Sequence, residues 1–181
     1  MNNRAMSDTL ATLITDSGFT VPRRWQGRHV LLIPADPDWA SVDYEAVQVS
    51  RLALRGFFGP GDPWPPADLT LADNRSDLAW HAREFRLQRS FAYHLMGTGC
   101  MSCLGCLYLY PSLSAEHDAE AYLWTRSDLA TEPSRAMEAE VVDWVTQVWP
   151  FTMLAWPGRN ISWAAWPQDN RPSYYVRRHQ R

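Results

Sequence analysis

The sequence predicts an α+β fold: a central mixed, mostly antiparallel sheet flanked by helices. Three observations predict it. Three consecutive strand-like runs, SFAYHLM, CLGCLYLY and DAEAYLWT, follow one another with only turn residues between them. Amphipathic helical stretches stand on both sides of that meander. A single helix then leads to one last apolar run, FTMLAW, so the sheet closes with one crossover connection.

The elements can be justified in chain order. Residues 7–16 predict a short helix capped by Ser7 or Asp8 and ended by Gly18. RHVLLIPAD holds a short strand over 29–33, stopped by Pro34. From Trp39 to Phe57, Val42, Ala46, Val49 and Ala53 recur at helical spacing, and Gly56 and Gly59 end the pattern. GPGDPWPPAD, 59–68, is too rich in proline and glycine for regular structure and reads as a stiff loop. A second helix is predicted over 70–88, with Leu71, Leu78, Ala82 and Phe85 on one face and Thr70 or Asp73 as cap. The strand meander follows. TEPSRAMEAEVVDWVTQVW is a strong helix with Thr131 as N-cap, Pro133 in its first turn and Met137, Val141, Trp144 and Val148 facing the core. Pro150 ends it; FTMLAW is a strand and RNISWAAW a short helix. These elements divide the chain into an N-terminal extension packed on the domain (1–28), the domain itself (29–166) and an irregular basic tail (167–181).

Composition excludes several classes of function. At 181 residues the chain is one ordinary domain with 46% hydrophobic and 20% charged residues. All seventeen cationic side chains are arginine, so Schiff-base lysine chemistry and a Walker-type phosphate loop are excluded. A net charge of −3 gives no basic surface for nucleic acid. No apolar run is long enough for a membrane span, and the N-terminus lacks the pattern of a signal peptide, so a cytoplasmic setting with reduced thiols is expected. Ten tryptophans point to an aromatic core or to an aromatic-walled pocket.

The three cysteines lie at three-residue intervals in GTGCMSCLGCLYLYP, residues 97–111. In a regular strand residues three apart point to opposite faces, so Cys103 and Cys106 could close on one ion only across a bulge. Gly105 would permit a knuckle-like turn and His94 could contribute from across the hairpin. The reading adopted is a hairpin, with Cys106 a small buried hydrophobe, Cys100 in the turn and no metal expected.

The element order resembles the GNAT superfamily of N-acetyltransferases, and so do local stretches over residues 29–166. DYEAVQVSRLALRGFFGP is similar to the first helix and acceptor-side loop of actinobacterial members. CLGCLYLYPS with AEAYLWTR resembles their hairpin and fourth strand, and WPGRNISWAAW the stretch where an Asn opens the last helix. The family's Arg/Gln-x-x-Gly-x-Gly/Ala loop, which holds the pyrophosphate of acetyl-CoA on a helix N-terminus, is matched only by RSDLATEPSRAM. That stretch is degenerate, with no glycine, one N–H lost at Pro133, and acids at Asp128 and Glu132.

The resemblance implies transfer of an acetyl or acyl group from acyl-CoA, a co-substrate, to an amine on a small molecule or a peptide. It implies Glu120 as general base, beside Tyr122 and Trp124 by strand alternation. The backbone of Leu123, Trp124 and Thr125 would meet pantetheine, Arg126 and Arg135 would meet the diphosphate, and Asn160 would add a side-chain hydrogen bond. His81 and Glu84, three apart on the second helix, form a second candidate pair of base and orienter or a solvated helix face. Trp64 is a candidate pocket wall, and Tyr174 and Tyr175 are candidate late proton donors. No nucleic-acid or membrane partner is expected, and a homodimer is left open. Two other readings stand beside the enzyme: a catalytically inactive GNAT-fold binding or assembly module, and a cysteine-based metal or redox protein.

Overall fold

The computed structural model describes residue 14 and residues 16–97, 99, 101–112 and 114–166. Six strands form one sheet in sequential order: β1 (Trp25–Gln26), β2 (Leu31–Pro34), β3 (Phe91–Met96), β4 (Cys103–Pro111), β5 (Ala119–Thr125) and β6 (Leu154–Ala155). Neighbours pair antiparallel except β5 and β6, which are parallel. Helices α1 (Ala40–Ser50) and α2 (Leu71–Arg86) lie between β2 and β3, and α3 (Thr131–Val148) connects β5 to β6. This is the predicted mixed, mostly antiparallel sheet with helices. Among the described residues no helix is long and apolar enough to cross a membrane.

Strand alternation sorts the sheet into two unlike faces. Tyr93 and Leu95 of β3, Leu107 and Leu109 of β4, and Ala121 and Leu123 of β5 pack against Met137, Val141, Trp144 and Val145 of α3. The opposite face presents Ala92, Cys106, Tyr108, Tyr110, Tyr122 and Trp124 to Ala46 and Val47 of α1 and Leu78 of α2. Because both faces are covered, β3, β4 and β5 read in the sequence as unbroken apolar runs. The thiol-bearing and most of the hydroxyl-bearing side chains fall on the α1/α2 face, and that is where polar chemistry can be buried.

Helix α2 begins at a full capping box: Thr70 Oγ1 accepts from Asp73 N at 3.1 Å, and Asp73 Oδ2 accepts from Thr70 N at 3.1 Å. Helix α3 differs from expectation, since Ala130 is its N-cap and Thr131 its first residue. One predicted face, that of α1, shifts by a position, while α2 and α3 each bury three of their four predicted residues. On α1, Asp43 and Ser50 are buried and Val49 is exposed; Leu71 of α2 and Val148 of α3 are also exposed. Buried polar groups on α1 cause the shift, because Asp43 and Ser50 have partners inside the protein. The last predicted strand shrinks to Leu154–Ala155, and 158–160 and 163–165 are turns, so the short helix expected at RNISWAAW does not form. The predicted helix at 7–16 lies almost wholly outside the described residues, as do Cys100, Tyr174 and Tyr175.

One irregularity decides how the cysteines face. Met96 pairs with Cys103 while the adjacent Leu95 pairs with Gly105, so Leu104 is an extra residue on β4. This is a β-bulge. It reverses the alternation between Cys103 and Cys106, and both side chains turn to the α1/α2 face while Leu104 packs on the α3 side. The expectation that the two thiols point apart is thereby corrected.

Candidate functional site

Strands β5 and β6 pair at only two positions, Ala119↔Leu154 and Glu120↔Ala155. Beyond them the chains part. The opening is a cleft of about 330 Å³ between Ala121, Tyr122 and Leu123 on one side and Trp156, Pro157, Gly158 and Arg159 on the other. Arg55, Phe57 and Trp163 complete its walls. The direction of the free backbone groups follows from the ladder. Arg126 N donates to Leu104 O at 2.8 Å, so alternation aims the amides and carbonyls of Trp124 at β4 and those of Leu123 and Thr125 away from it. Of the three residues expected to offer backbone contacts, Leu123 and Thr125 thus keep theirs on the side away from β4, where Leu123 borders the cleft.

The closed end of the cleft is held by Asp118. Its Oδ2 accepts from Thr152 N at 2.8 Å, from Thr152 Oγ1 at 2.9 Å and from Met153 N at 2.9 Å. Partial burial opposes the charged carboxylate, but the Met153 and Thr152 donors and the nearby His117 outweigh it and hold the pKa below its ordinary 3.8. Asp118→Ala is expected to cost about 2 kcal/mol in thermal or urea unfolding. A depressed folded-state pKa stabilises fully above the unfolded value and fades as pH falls through the folded one. The gap between wild type and variant should therefore be constant above about pH 5 and close progressively in more acid solution. A gap that does not change with acidity would remove the charged carboxylate from this account.

Glu120 is wholly buried, on the α1/α2 side of β5. Its Oε2 accepts from Tyr122 Oη at 2.8 Å, and Ser112 Oγ approaches Oε1 at 3.4 Å. Burial raises the Tyr122 pKa well above its ordinary 10.0, and the Glu120 carboxylate adds to the effect. Tyr122 also stacks on Trp163, with ring centroids 6.4 Å apart and planes at 19°. Tyr122 thus lies between the cleft and Glu120. Phe58, Tyr108, Tyr110 and Trp64 fill the surrounding space: Phe58 lies 5.2 Å from Tyr122, 5.3 Å from Tyr108 and 5.4 Å from Trp64. The tryptophan-rich composition is spent on this aromatic layer and on the α3 side of the core.

His81 and Glu84 are not on a solvated helix face; both are buried on α2. His81 Nε2 lies 3.6 Å from Asp77 Oδ2 and its ring sits 5.4 Å from that of Tyr108. Glu84 accepts from Arg83 at 3.2 Å, with Arg89 at 3.8 Å.

The loop from β5 into α3 offers less than a phosphate site usually does. Arg126 is ion-paired with Asp128 at 2.9 Å and Glu45 at 3.2 Å; the Asp128 hydrogen bond, opposed by burial and helped by Glu45, raises its pKa further. Arg135 pairs with Glu132 at 3.2 Å on the surface. Asn160 does not open a helix: its Oδ1 accepts from Trp156 N at 3.1 Å and closes the turn at the rim of the cleft. Arg159 reaches Glu138 at 2.8 Å, and it and Arg55 put two guanidinium groups at the cleft walls.

Sequence reasoning missed Asp43; it weighed Cys103, Cys106 and His94 as ligands across a bulge and adopted a plain hairpin instead. All four converge beneath α1. Asp43 and His94 are far apart along the chain, on α1 and β3, so no local spacing connects them.

No protein-family profile and no curated protein matches the chain. Solved structures do. The ribosomal-protein-S5-alanine acetyltransferase of Vibrio fischeri is 12% identical, with a TM-score of 0.52 over 68% of this chain and 67% of that one. RimL, a ribosomal L7/L12 alpha-N-protein acetyltransferase solved with coenzyme A, is 11% identical, with a TM-score of 0.54 over 72% and 69%. The microcin C7 self-immunity acetyltransferase MccE, solved with acetyl-CoA and AMP, is 10% identical, with a TM-score of 0.52 over 67% and 66%. The protein has the α+β fold of GNAT acetyltransferases.

Proposed function

We propose that this protein is an acyltransferase that moves an acetyl or other acyl group from a CoA thioester to an amine. The observation that carries the reading is the parting of β5 from β6 after two paired residues, which leaves the outer backbone groups of β5 without a strand partner among the described residues, beside a cleft. Acyl-CoA, as co-substrate, supplies the acyl group. Leu123 and Thr125 hold its pantetheine arm through their backbone groups, and Arg55 attracts the phosphates, with Arg159 able to join by leaving Glu138. Tyr122 faces the amine and passes its proton to Glu120. The names of two structural neighbours, acetyltransferases of ribosomal proteins S5 and L7/L12, support a peptide amine as acceptor over a small molecule. We place the activity in the cytoplasm, with neither a membrane nor a nucleic acid as partner.

A second reading has its own support. Arg126 and Arg135, the two cations nearest the expected diphosphate position, are already neutralised by acids, and the α3 N-terminus lacks glycine. A GNAT-fold binding or assembly module would need no diphosphate site. Calorimetric titration with acetyl-CoA separates the two. Micromolar binding is expected of the enzyme, whereas no heat at millimolar ligand would leave only the module.

A further inference from the structure

The convergence of Asp43, His94, Cys103 and Cys106 is independent of the cleft and of the acyl-transfer reading. One candidate donor atom from each residue lies within 4.8 Å of the other three. His94 Nδ1 is 3.3 Å from Asp43 Oδ1. The Cys106 and Cys103 sulfurs are 3.3 Å and 3.8 Å from the same oxygen, and 3.8 Å and 3.9 Å from His94 Nδ1. Zinc bonds of about 2.3 Å to sulfur and about 2.0–2.2 Å to nitrogen and oxygen give a tetrahedron with edges of roughly 3.3–3.8 Å. Five of the six separations, 3.3–3.9 Å, lie within a few tenths of an ångström of those edges, and the two sulfurs lie within 4.8 Å of each other. As a hydrogen-bond network the arrangement is poor, because His94 and Cys106 crowd a single carboxylate oxygen, Cys103 turns its proton to Gly105 O at 3.2 Å instead, and the sulfur–nitrogen separations are long. As a ligand shell it is complete.

We propose that these four side chains bind one zinc ion as a closed structural site. All four are buried, so no coordination position is left for water or substrate. Two thiolates and an imidazole favour zinc among divalent ions, and a tetrahedral set argues against magnesium or calcium. Asp43 is held for single-oxygen ligation, since Asn74 Nδ2 of α2 donates to its other oxygen at 2.8 Å. Two contacts must change on loading. Cys103 Sγ donates to Gly105 O at 3.2 Å and loses that proton when it ligates as a thiolate. The second is at His94. Asp36 N now donates to His94 Nε2 at 3.3 Å, and an imidazole bound through Nδ1 carries its proton on Nε2. The Asp36 amide therefore gives up that acceptor. The bound ion fastens α1 to β3 and β4, and Cys106 pairs directly with Trp124 of β5.

The test uses the full chain purified without a histidine tag and with its thiols reduced. Metal analysis is expected to give about one zinc per chain that survives dialysis. Replacement by cobalt should give the absorption of a tetrahedral ion with thiolate charge-transfer bands. Cys106→Ser and Asp43→Asn should each lose most of the bound metal, and a strong chelator should lower the thermal midpoint of the wild type. Wild-type measurements decide the matter even if a variant fails to fold. Folded, reduced protein that contains no metal, takes up neither zinc nor cobalt, and melts identically with zinc or chelator would overturn the proposal. One equivalent of iron in place of zinc would overturn the choice of ion. Acetyl-CoA titration reads the cleft instead, so failure of either reading leaves the other standing.

Discussion

Gly105→Ala is expected to lower the unfolding free energy by about 4 kcal/mol or more, a large share of an ordinary domain's margin. Gly105 has φ +151, a conformation that L side chains rarely adopt. A Cβ built there would stand 2.0 Å from Trp124 O and 2.9 Å from Thr125 Cα. These are backbone atoms of the central β4–β5 ladder, so no rotamer change relieves the contact. The strands must separate where Gly105 pairs with Thr125, or the bulge must be lost. Losing the bulge turns Cys103 back to the α3 side and pulls it from Asp43 and His94. Urea unfolding of the two proteins checks the magnitude. Gly61→Ala is the control. Gly61 also has positive φ, but a Cβ there would meet nothing within 4 Å, so only the conformational cost of about 1–2 kcal/mol is expected. Equal losses at the two sites would show that strain of the backbone, and not the strand contact, sets the cost.

The same bulge marks the limit of what the amino-acid pattern reveals. β3, β4 and β5 were legible because burial on both faces writes continuous apolar runs, and α3 because Met137, Val141 and Trp144 keep helical spacing against one layer. The cap of α2 was visible as Thr70 or Asp73, though not the reciprocal box in which both take part. The face of α1 was not. Helical spacing counts apolar residues, and here a carboxylate and a hydroxyl turn inward: Asp43 toward His94 and the cysteines, and Ser50 to accept from Ser127 N at 3.0 Å. The end of the sheet was overestimated because FTMLAW is apolar enough for a strand, whereas Pro157 and the Asn160 side chain turn the chain away after two paired residues.

In the candidate site, alternation correctly put Glu120 with Tyr122, a local relation that a strand fixes by itself. It did not foresee how deeply both lie beneath Phe58 and its neighbours, because that layer comes from the loop after α1. Nor could it join Asp43 to His94. The nearest signal was the glycine between two cysteines, the residue that a bulge requires.

Glu120→Gln is expected to reduce the turnover number by about 10²–10³-fold, with acetyl-CoA affinity and thermal midpoint little changed. The amide can still accept the Tyr122 hydrogen bond at the observed 2.8 Å, but it cannot take up a proton at neutral pH. In the proposed reaction the amine's proton would reach Glu120 through the Tyr122 hydroxyl, since Glu120 has no exposed surface and Tyr122, itself 3% exposed, borders the cleft. That oxygen would receive a proton from the amine as it releases its own to the carboxylate. Tyr122→Phe keeps the ring that stacks on Trp163 and removes the relay, so a loss of the same order is expected. If the two groups act in series, the double variant should be no slower than the worse single one. Losses that multiply would separate them into independent roles, and full turnover by Glu120→Gln would remove the carboxylate from the chemistry. A purely structural role predicts a different pattern: a lowered thermal midpoint in Tyr122→Phe, with a turnover number that recovers when the assay is cooled.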